Sequence, residues 1–403
     1  MKVAGIIAEY NPFHNGHLHQ IHQLKRIYQP DYIVVAMSGD FVQRGEPAIL
    51  DKYARTRMAL ACGADLVLEL PAKYATASAE YFALGGTSLL ESTGVVDAIC
   101  FGAECEDLAL LCQIADALKN PSDDFTALQK EYQKQGFSFP KARALTFKEV
   151  YHLPDETLSS PNNILAIEYL KATKLKPILV PRVGAGYHQG DLSPLASATG
   201  IRNAIMQGHD YQTSMPKESH EILTQYLKQL PPVTADDFSS ILGHLLLRYQ
   251  AEGYEQFADC DTDLSRKIQN HLEDYTSFQQ FAMLLKTKDL TYSRITRVLT
   301  HILLDIKKED YRHIKAGVPY CRILGFKKEA GPLLSAIKKE ATVPLITKVA
   351  DASQLYQSDT SNANLKQTLQ GDLFAAHCYS QVVAQKGNYP VPNEYRRGII
   401  IEP

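Results

Sequence analysis

The stretch Val3-Ala4-Gly5-Ile6-Ile7-Ala8-Glu9-Tyr10-Asn11-Pro12-Phe13-His14-Asn15-Gly16-His17 decides how this chain is read. Val3 to Ala8 is an unbroken run of small and apolar residues, the pattern of a strand buried on both faces. Asn11-Pro12 ends it with a turn. From Gly16 to Tyr28, Leu18, Ile21, Leu24 and Ile27 share one helical face. Two histidines thus bracket a glycine at a helix mouth, where free N–H groups and the positive dipole end attract anions. Gly16 lets a phosphate approach the backbone. His14 and His17 can donate hydrogen bonds to phosphate oxygens and to charge developing at an α-phosphate.

The same alternation continues along the chain. Tyr32–Met37, Leu66–Leu70, Ala98–Phe101 and Pro177–Val183 read as buried strands. Lys52–Cys62, Ala79–Leu90, the segment opening at Ser160-Pro161-Asn162-Asn163, and Ser197–Met206 read as helices. Glu106–Tyr151 reads as a mainly helical insertion or cap. This is an α/β pattern: a parallel sheet covered on both faces, with ligands beyond the carboxyl ends of its strands at a topological switch point. Pro231-Pro232 interrupts the helical patterning and sets a boundary, giving portions 1–230 and 231–403. The second portion is largely helical α+β. Amphipathic helices run to about Leu304. Short strands follow near Cys321–Leu324 and Val343–Ile346, with helices near Leu333–Lys339 and Asn364–Val383.

Composition narrows the function classes. The chain has 403 residues, 45% hydrophobic and 22% charged, with a formal charge of −3. That excludes disordered, collagen-like and coiled-coil proteins, and a wholly basic nucleic-acid coat. No apolar run is long enough to span a membrane, and the apolar N-terminal stretch is too short for a signal peptide. Seven cysteines without a CxxC pair suit reduced thiols in a cytoplasm. His14, His17, His19 and His22 raise zinc as an alternative, but no Glu or Cys completes a familiar ligand set, so no resident metal is expected.

A second motif, Ser197-Ala198-Thr199-Gly200-Ile201-Arg202, follows the fifth strand. Its hydroxyls and N–H groups at a helix start, with a fixed cation, suit β- and γ-phosphates, although an ordinary N-cap also explains Ser197 or Thr199. Together with His14-Asn15-Gly16-His17 it resembles the HxGH nucleotidyltransferase superfamily, which transfers adenylyl groups from ATP on a Rossmann-like fold. Longer runs resemble one family within it, the bacterial tRNA(Met) cytidine acetate ligases. These are Ile6 to His17, Met37-Ser38-Gly39-Asp40-Phe41-Val42-Gln43-Arg44-Gly45-Glu46-Pro47, Ser160 to Leu165, Gly184-Ala185-Gly186-Tyr187-His188, Leu285-Lys286-Thr287-Lys288 and Arg322-Ile323-Leu324-Gly325-Phe326.

The resemblance implies a function. Acetate and ATP would form acetyl-adenylate, whose acetyl group passes to N4 of the wobble cytidine of elongator tRNA(Met), giving N4-acetylcytidine. It implies that residues 1–230 bind ATP and activate acetate. His14 and His17 would be catalytic. Ile7, Ala8, Glu9, Tyr10, Asn11, Pro12, Phe13, His14, Asn15, Gly16, His17, Leu18, His19 and Gln20 would form the ATP loop. Gly102, Asn162 and Arg182 would add nucleotide contacts, and Ser197, Thr199 and Arg202 the second phosphate motif. Magnesium is expected to accompany ATP.

Between Lys286 and Lys328 stand eleven basic residues against four acidic ones, with Tyr292, Tyr311, Tyr320 and Phe326 interleaved. Positive charge with aromatics suits a phosphate backbone and unstacked bases. Lys286, Lys288, Arg294 and Arg297 are the candidate RNA contacts. The competing reading is the solvated face of an amphipathic helix over Tyr292–Asp305. Of Lys52, Arg55 and Arg57 on the following helix, one or two are expected on its solvated face, with an extension of the basic surface as the alternative, and the Gly-bounded loop with Asp40, Gln43 and Arg44 reads as a lid rather than a solvated turn. The alternative enzyme is a small-molecule adenylyltransferase of coenzyme synthesis, which would not need this basic half. Neither DNA nor a membrane is expected as a partner.

Overall fold

The computed structural model of the chain describes residues 1–137, 139–151, 157–158, 160–182, 196–288, 290–357, 363–388 and 390–403. Gly184 to His188 lie outside the described residues. The strands are β1 (Val3–Ala8), β2 (Tyr32–Ser38), β3 (Phe41–Val42), β4 (Glu46–Pro47), β5 (Leu66–Leu70), β6 (Ala98–Ala103), β7 (Lys176–Pro181), β8 (Cys321–Lys327), β9 (Leu345–Ile346) and β10 (Ile400–Glu402). The main sheet runs β10-β8-β5-β2-β1-β6-β7, with β9 also on β8. The five strands expected from residues 1–183 pair in parallel, with Ile6 between Val35 and Cys100.

Both faces of this sheet are covered, as the unbroken apolar strands require. On one face Val34, Ala36, Leu66 and Leu68 pack with Phe82, Leu89 and Leu90 of the helix Ala79–Ser92. On the other, Ile6, Val35 and Met37 pack with Ile21 and Leu24 of the helix Asn15–Tyr28, and with Met58 and Leu60 of the helix Lys52–Ala61. Burying a side chain such as Ile21 or Leu24 contributes about 1.5–3 kcal/mol. Glu106–Tyr151 forms three helices, Leu108–Lys119, Asp123–Lys134 and Phe139–Tyr151.

The chain after Pro231-Pro232 builds a helical body, in which Leu242, Phe257, Phe281, Val298 and Leu299 share a core. It does not remain there. β8 returns to the sheet antiparallel to β5, and β10 pairs parallel to β8. The sheet therefore draws strands from both sides of residue 231. The physical reason is the β5 edge: without β8 its ladder groups would be unpaired. No helix among the described residues is long and apolar enough to cross a membrane.

Candidate active site

After β1 the chain winds to β2 and β5 on one side, then crosses to β6 and β7 on the other. The switch point thus falls between β1 and β6. Beyond their carboxyl ends opens a cleft of about 1240 Å³, floored by Ile7, Ala8 and Glu9 of β1 and its exit, and by Phe101 and Gly102 of β6. A Cβ on Gly102 would stand 3.3 Å from Arg182 Cγ, so glycine leaves room for that stem along the wall.

His14 is the N-cap of the helix Asn15–Tyr28. Its Nδ1 accepts from the Gly16 N–H at 3.0 Å, and His17 Nδ1 accepts from the His14 N–H at 3.2 Å. The two rings lie with centroids 3.8 Å apart. Accepting at Nδ1 assigns both imidazoles the tautomer protonated at Nε2. Burial, reinforced by Arg182 and Arg202, lowers His14 to about 4. Burial, with His14 and Arg182, pushes His17 well down. Both are therefore neutral Nε2–H donors near pH 7. Gly16 is required by this packing, because a Cβ there would sit 2.9 Å from His14 Cε1.

The second motif joins the first. Ser197 Oγ caps the helix Ala198–Gln207 by accepting from the Gly200 N–H at 3.2 Å. Arg202 donates to the Asn11 carbonyl at 2.9 Å and to Thr199 Oγ1 at 3.2 Å, and both Thr199 and Arg202 line the cleft. On the opposite wall Asn162 opens the helix Pro161–Ala172. Its amide donates to Glu104 and its Oδ1 accepts from Arg182 at 3.4 Å. His17, Gln20, Gly102, Asn162 and Arg182 also face the cleft.

The other residues between Tyr10 and His19 support this arrangement. Tyr10 and Phe13 are core residues, and Asn11 Oδ1 accepts from the Ile49 N–H at 2.8 Å. Pro12 is buried. Asn15 donates to the Thr213 carbonyl. Leu18 packs beside the core, and His19 is half-buried. Neither residue lines the cleft.

The loop with Asp40, Gln43 and Arg44 is not a lid. It is the tight antiparallel hairpin β3–β4, clamped to the helix Tyr292–Leu303. Thr296 Oγ1 donates to the Arg44 carbonyl, and Thr300 Oγ1 to the Gly45 carbonyl at 2.7 Å. Gly45 has φ +70°, and a Cβ there would lie 2.3 Å from the Arg297 backbone nitrogen. Only glycine allows this approach.

The cations expected at the surface are mostly buried or paired. Lys52 and Arg55 are completely buried; Arg57 alone of the three is exposed. Lys52 Nζ meets Glu69 at 2.7 Å and Glu394 at 2.9 Å. Arg55 donates to the carbonyls of Glu9, Ser38, Gly39 and Leu50. Arg322, counted in the basic stretch, is also buried and paired with Glu69 and Glu394. Of the four candidate RNA contacts, Lys286 and Lys288 are exposed and line the cleft beside Tyr292 and Ser293. Arg294 pairs with Asp261, and Arg297 with Asp259 at 2.8 Å.

Tyr292, one of the interleaved aromatics, lines the cleft, and so do Glu46, Tyr169 and Phe82, which the sequence did not point to as site residues. Glu46 had one available signal: it sits in a loop leaving the carboxyl end of a parallel strand.

A single cleft thus joins a phosphate-suited helix mouth to a basic helical rim. The HIGH Nucleotidyl Transferase family model matches residues 1–391. A tRNA(Met) cytidine acetate ligase of Thermoanaerobacter sp. is 39% identical over 391 residues, covering 94% of this chain and 95% of that protein. The chain belongs to the tRNA(Met) cytidine acetate ligase family. Two solved structures of one member match its whole length. Thermotoga maritima TmcAL in its apo form superposes with a TM-score of 0.92 at 29% identity, covering 100% of this chain and 99% of that one. The same protein bound with alpha-thio ATP superposes at 0.90 with 30% identity, again over 100% and 99%. The ligase family's nucleotidyltransferase fold is the one described above, a mostly parallel sheet with flanking helices and a substantial helical C-terminal region.

Proposed function

We propose that this chain is an ATP-dependent ligase that joins acetate to N4 of the wobble cytidine of elongator tRNA(Met). The observation that carries the reading is the shared cleft: His17, Thr199 and Arg202 on one wall, Lys286, Lys288 and Tyr292 on the other. A small-molecule adenylyltransferase would need only the first wall.

In the first step an acetate oxygen attacks the α-phosphorus of ATP and pyrophosphate leaves, giving acetyl-adenylate. The protein's task is positioning and charge neutralisation. The Nε2–H groups of His14 and His17 donate to phosphate oxygens without a proton having to move first. Arg202, held by Asn11 and Thr199, and Arg182, held by Asn162, supply fixed positive charge. ATP enters as its magnesium complex, in which the ion neutralises phosphate charge and its phosphates supply ligands. Among the described residues no three His, Cys, Asp or Glu gather into a metal site. In the second step N4 attacks the acetyl carbonyl and AMP leaves. The base must quit its stack to do so, at a cost of a few kcal/mol. Lys286 and Lys288 hold the RNA backbone at the rim. Unpaired cysteines and a tRNA substrate suit the cytoplasm.

The test is incubation with ATP and radiolabelled acetate, with and without tRNA(Met). Labelled acetyl-adenylate without tRNA, and labelled N4-acetylcytidine with it, support the reading. Adenylyl transfer to a coenzyme precursor in place of acetate would support the alternative.

A further inference from the structure

Among the described residues two carboxylates line the cleft, Glu9 and Glu46. They differ in what holds them. Glu9 Oε1 accepts the Gln43 N–H at 2.9 Å, so its orientation is committed to the hairpin. Asp40, the other acid of the β3–β4 segment, is buried and accepts from the Lys52 N–H at 2.8 Å. Among the described residues the Glu46 side chain has no hydrogen-bond or ion-pair partner, although it is partly buried. Its backbone is nevertheless held firmly. It stands opposite Val42 in the hairpin, one residue past the Gly45 contact with the helix Tyr292–Leu303. A free carboxylate on a fixed backbone in a cleft is unusual, because a half-buried acid without a partner costs stability.

Its position is at the seam of the two walls. Arg202 on the nucleotide side and Arg44 in its own hairpin act on it electrostatically, and it acts in turn on Tyr292 at the basic rim. An amine arriving from the rim and an acyl-adenylate held on the nucleotide wall would meet beside it. Burial, with Glu9 adding to it, raises the Glu46 carboxyl above its ordinary value against the pull of Arg202 and Arg44. A more basic carboxylate is a better proton acceptor near neutrality.

We propose that Glu46 is the general base of the second step, taking the proton from N4 of the cytidine as that nitrogen bonds to the acetyl carbon. The inference rests on the ligase reading above. The balance is simple. The N4–C bond forms, and the bond between the acetyl carbon and the phosphate oxygen breaks. AMP leaves with that electron pair. One N4 proton passes to the Glu46 carboxylate and then to solvent through the open cleft.

The experiment compares the two half-reactions in Glu46→Gln and Glu46→Asp. Glutamine keeps size and hairpin backbone but accepts no proton. Acetate-dependent ATP–pyrophosphate exchange reports the first step. Single-turnover transfer from preformed acetyl-adenylate to tRNA(Met) reports the second. Glu46→Gln should leave exchange within a few-fold of the unaltered protein and slow transfer by about 10²–10⁴-fold. The unaltered protein's transfer rate should rise with pH through one acidic ionisation, a limb absent from Glu46→Gln. Glu46→Asp should recover part of the rate. Equal loss of both half-reactions would overturn the assignment in favour of a role in binding ATP or its magnesium. Retained transfer, or a pH limb that survives in Glu46→Gln, would also overturn it. If the unaltered protein forms neither acetyl-adenylate nor N4-acetylcytidine, the ligase reading falls first, and the role of Glu46 with it.

Discussion

Replacing Lys52 by Met tests the buried charge cluster beneath the cleft. Lys52 Nζ lies 2.7 Å from Glu69, 2.9 Å from Glu394 and 3.7 Å from Asp40. Arg322 is the other cation on Glu69 and Glu394, with Nη1 2.7 Å from Glu69 Oε2. Methionine fills most of the lysine volume, so the cavity contribution is small, and what is lost is charge. Glu69 and Glu394 would then share the Arg322 guanidinium, and Asp40 would keep only the field of Arg55. Removing one partner of a buried pair costs about 3–5 kcal/mol, a large part of a typical domain's stability. The pH dependence gives the sharper test. In the unaltered protein burial alone would raise Glu394, but Lys52 and Arg322 outweigh it and hold its carboxyl well below the usual range. Without Lys52, carboxyls of the cluster rise above their unfolded values. A group raised in this way stabilises below its unfolded pKa, and loses that contribution as pH rises through its folded one. The deficit of Lys52→Met should therefore shrink on acidification from pH 7 to pH 5, by roughly 1.4 kcal/mol per pH unit for each proton taken up. Urea unfolding at the two pH values measures it. A deficit under about 1 kcal/mol, or one unchanged by pH, would refute the view that this ammonium balances the carboxylates.

Other outcomes follow from the same geometry. His14→Asn keeps an acceptor for the Gly16 N–H, so its urea midpoint should stay close to that of the unaltered protein, while acetate-dependent pyrophosphate exchange falls about 10²-fold for want of the Nε2–H donor. Lys286→Ala with Lys288→Ala should lower the slope of log affinity for tRNA against log salt by up to about two units and spare exchange. Arg297→Ala should leave that slope unchanged and instead lower the unfolding midpoint, since Arg297 is tied to Asp259. Burial raises Asp40 to about 6 despite Lys52. Its proton therefore stabilises the fold fully below pH 4, and that contribution is lost as pH rises through 6. The stability of the unaltered protein relative to Asp40→Asn should fall by roughly 2 kcal/mol between pH 4 and pH 7, read by urea unfolding.

What the sequence made legible follows a physical rule: signals carried by neighbouring residues were readable, and those carried across the chain were not. The strands β1, β2, β5, β6 and β7 are continuous apolar runs, and their parallel pairing follows from the helices between them. The helix mouth at His14 to His17 is local as well. Lys52 and Arg55 looked like the solvated face of a helix because nothing nearby balances them. Their partners come from elsewhere: Glu394, which also accepts from Tyr53 at 3.1 Å, is 341 residues beyond that tyrosine. Arg322 looked like part of an RNA surface for the same reason. Arg294 and Arg297 sit on the polar side of a helix, as expected, but Asp261 and Asp259 occupy them. β10 spans three residues, too short to show an alternation.

The buried cations explain how the two walls of the cleft keep their spacing. Past the carboxyl ends of β1 and β2 the last carbonyls of these neighbouring strands lose their ladder partners. Arg55 restores them: one guanidinium gathers the Glu9 carbonyl after β1 and the Ser38 and Gly39 carbonyls at the end of β2. Its planar five-donor fork suits this, and an ammonium would not span the set. The next residue, Asp40, caps the Lys52 N–H and begins the hairpin, whose tip is bonded by Thr296 and Thr300. A short relay of backbone contacts therefore runs from the floor of the nucleotide wall, through Arg55 and the hairpin, to the helix whose first turn carries Tyr292 at the basic rim. Acyl transfer between substrates held on opposite walls demands reacting atoms about 3 Å apart, and misplacement by 1 Å can cost 10²-fold. A chain of buried hydrogen bonds to backbone atoms, each fixed by main-chain geometry, meets that demand better than flexible surface contacts between two separate domains.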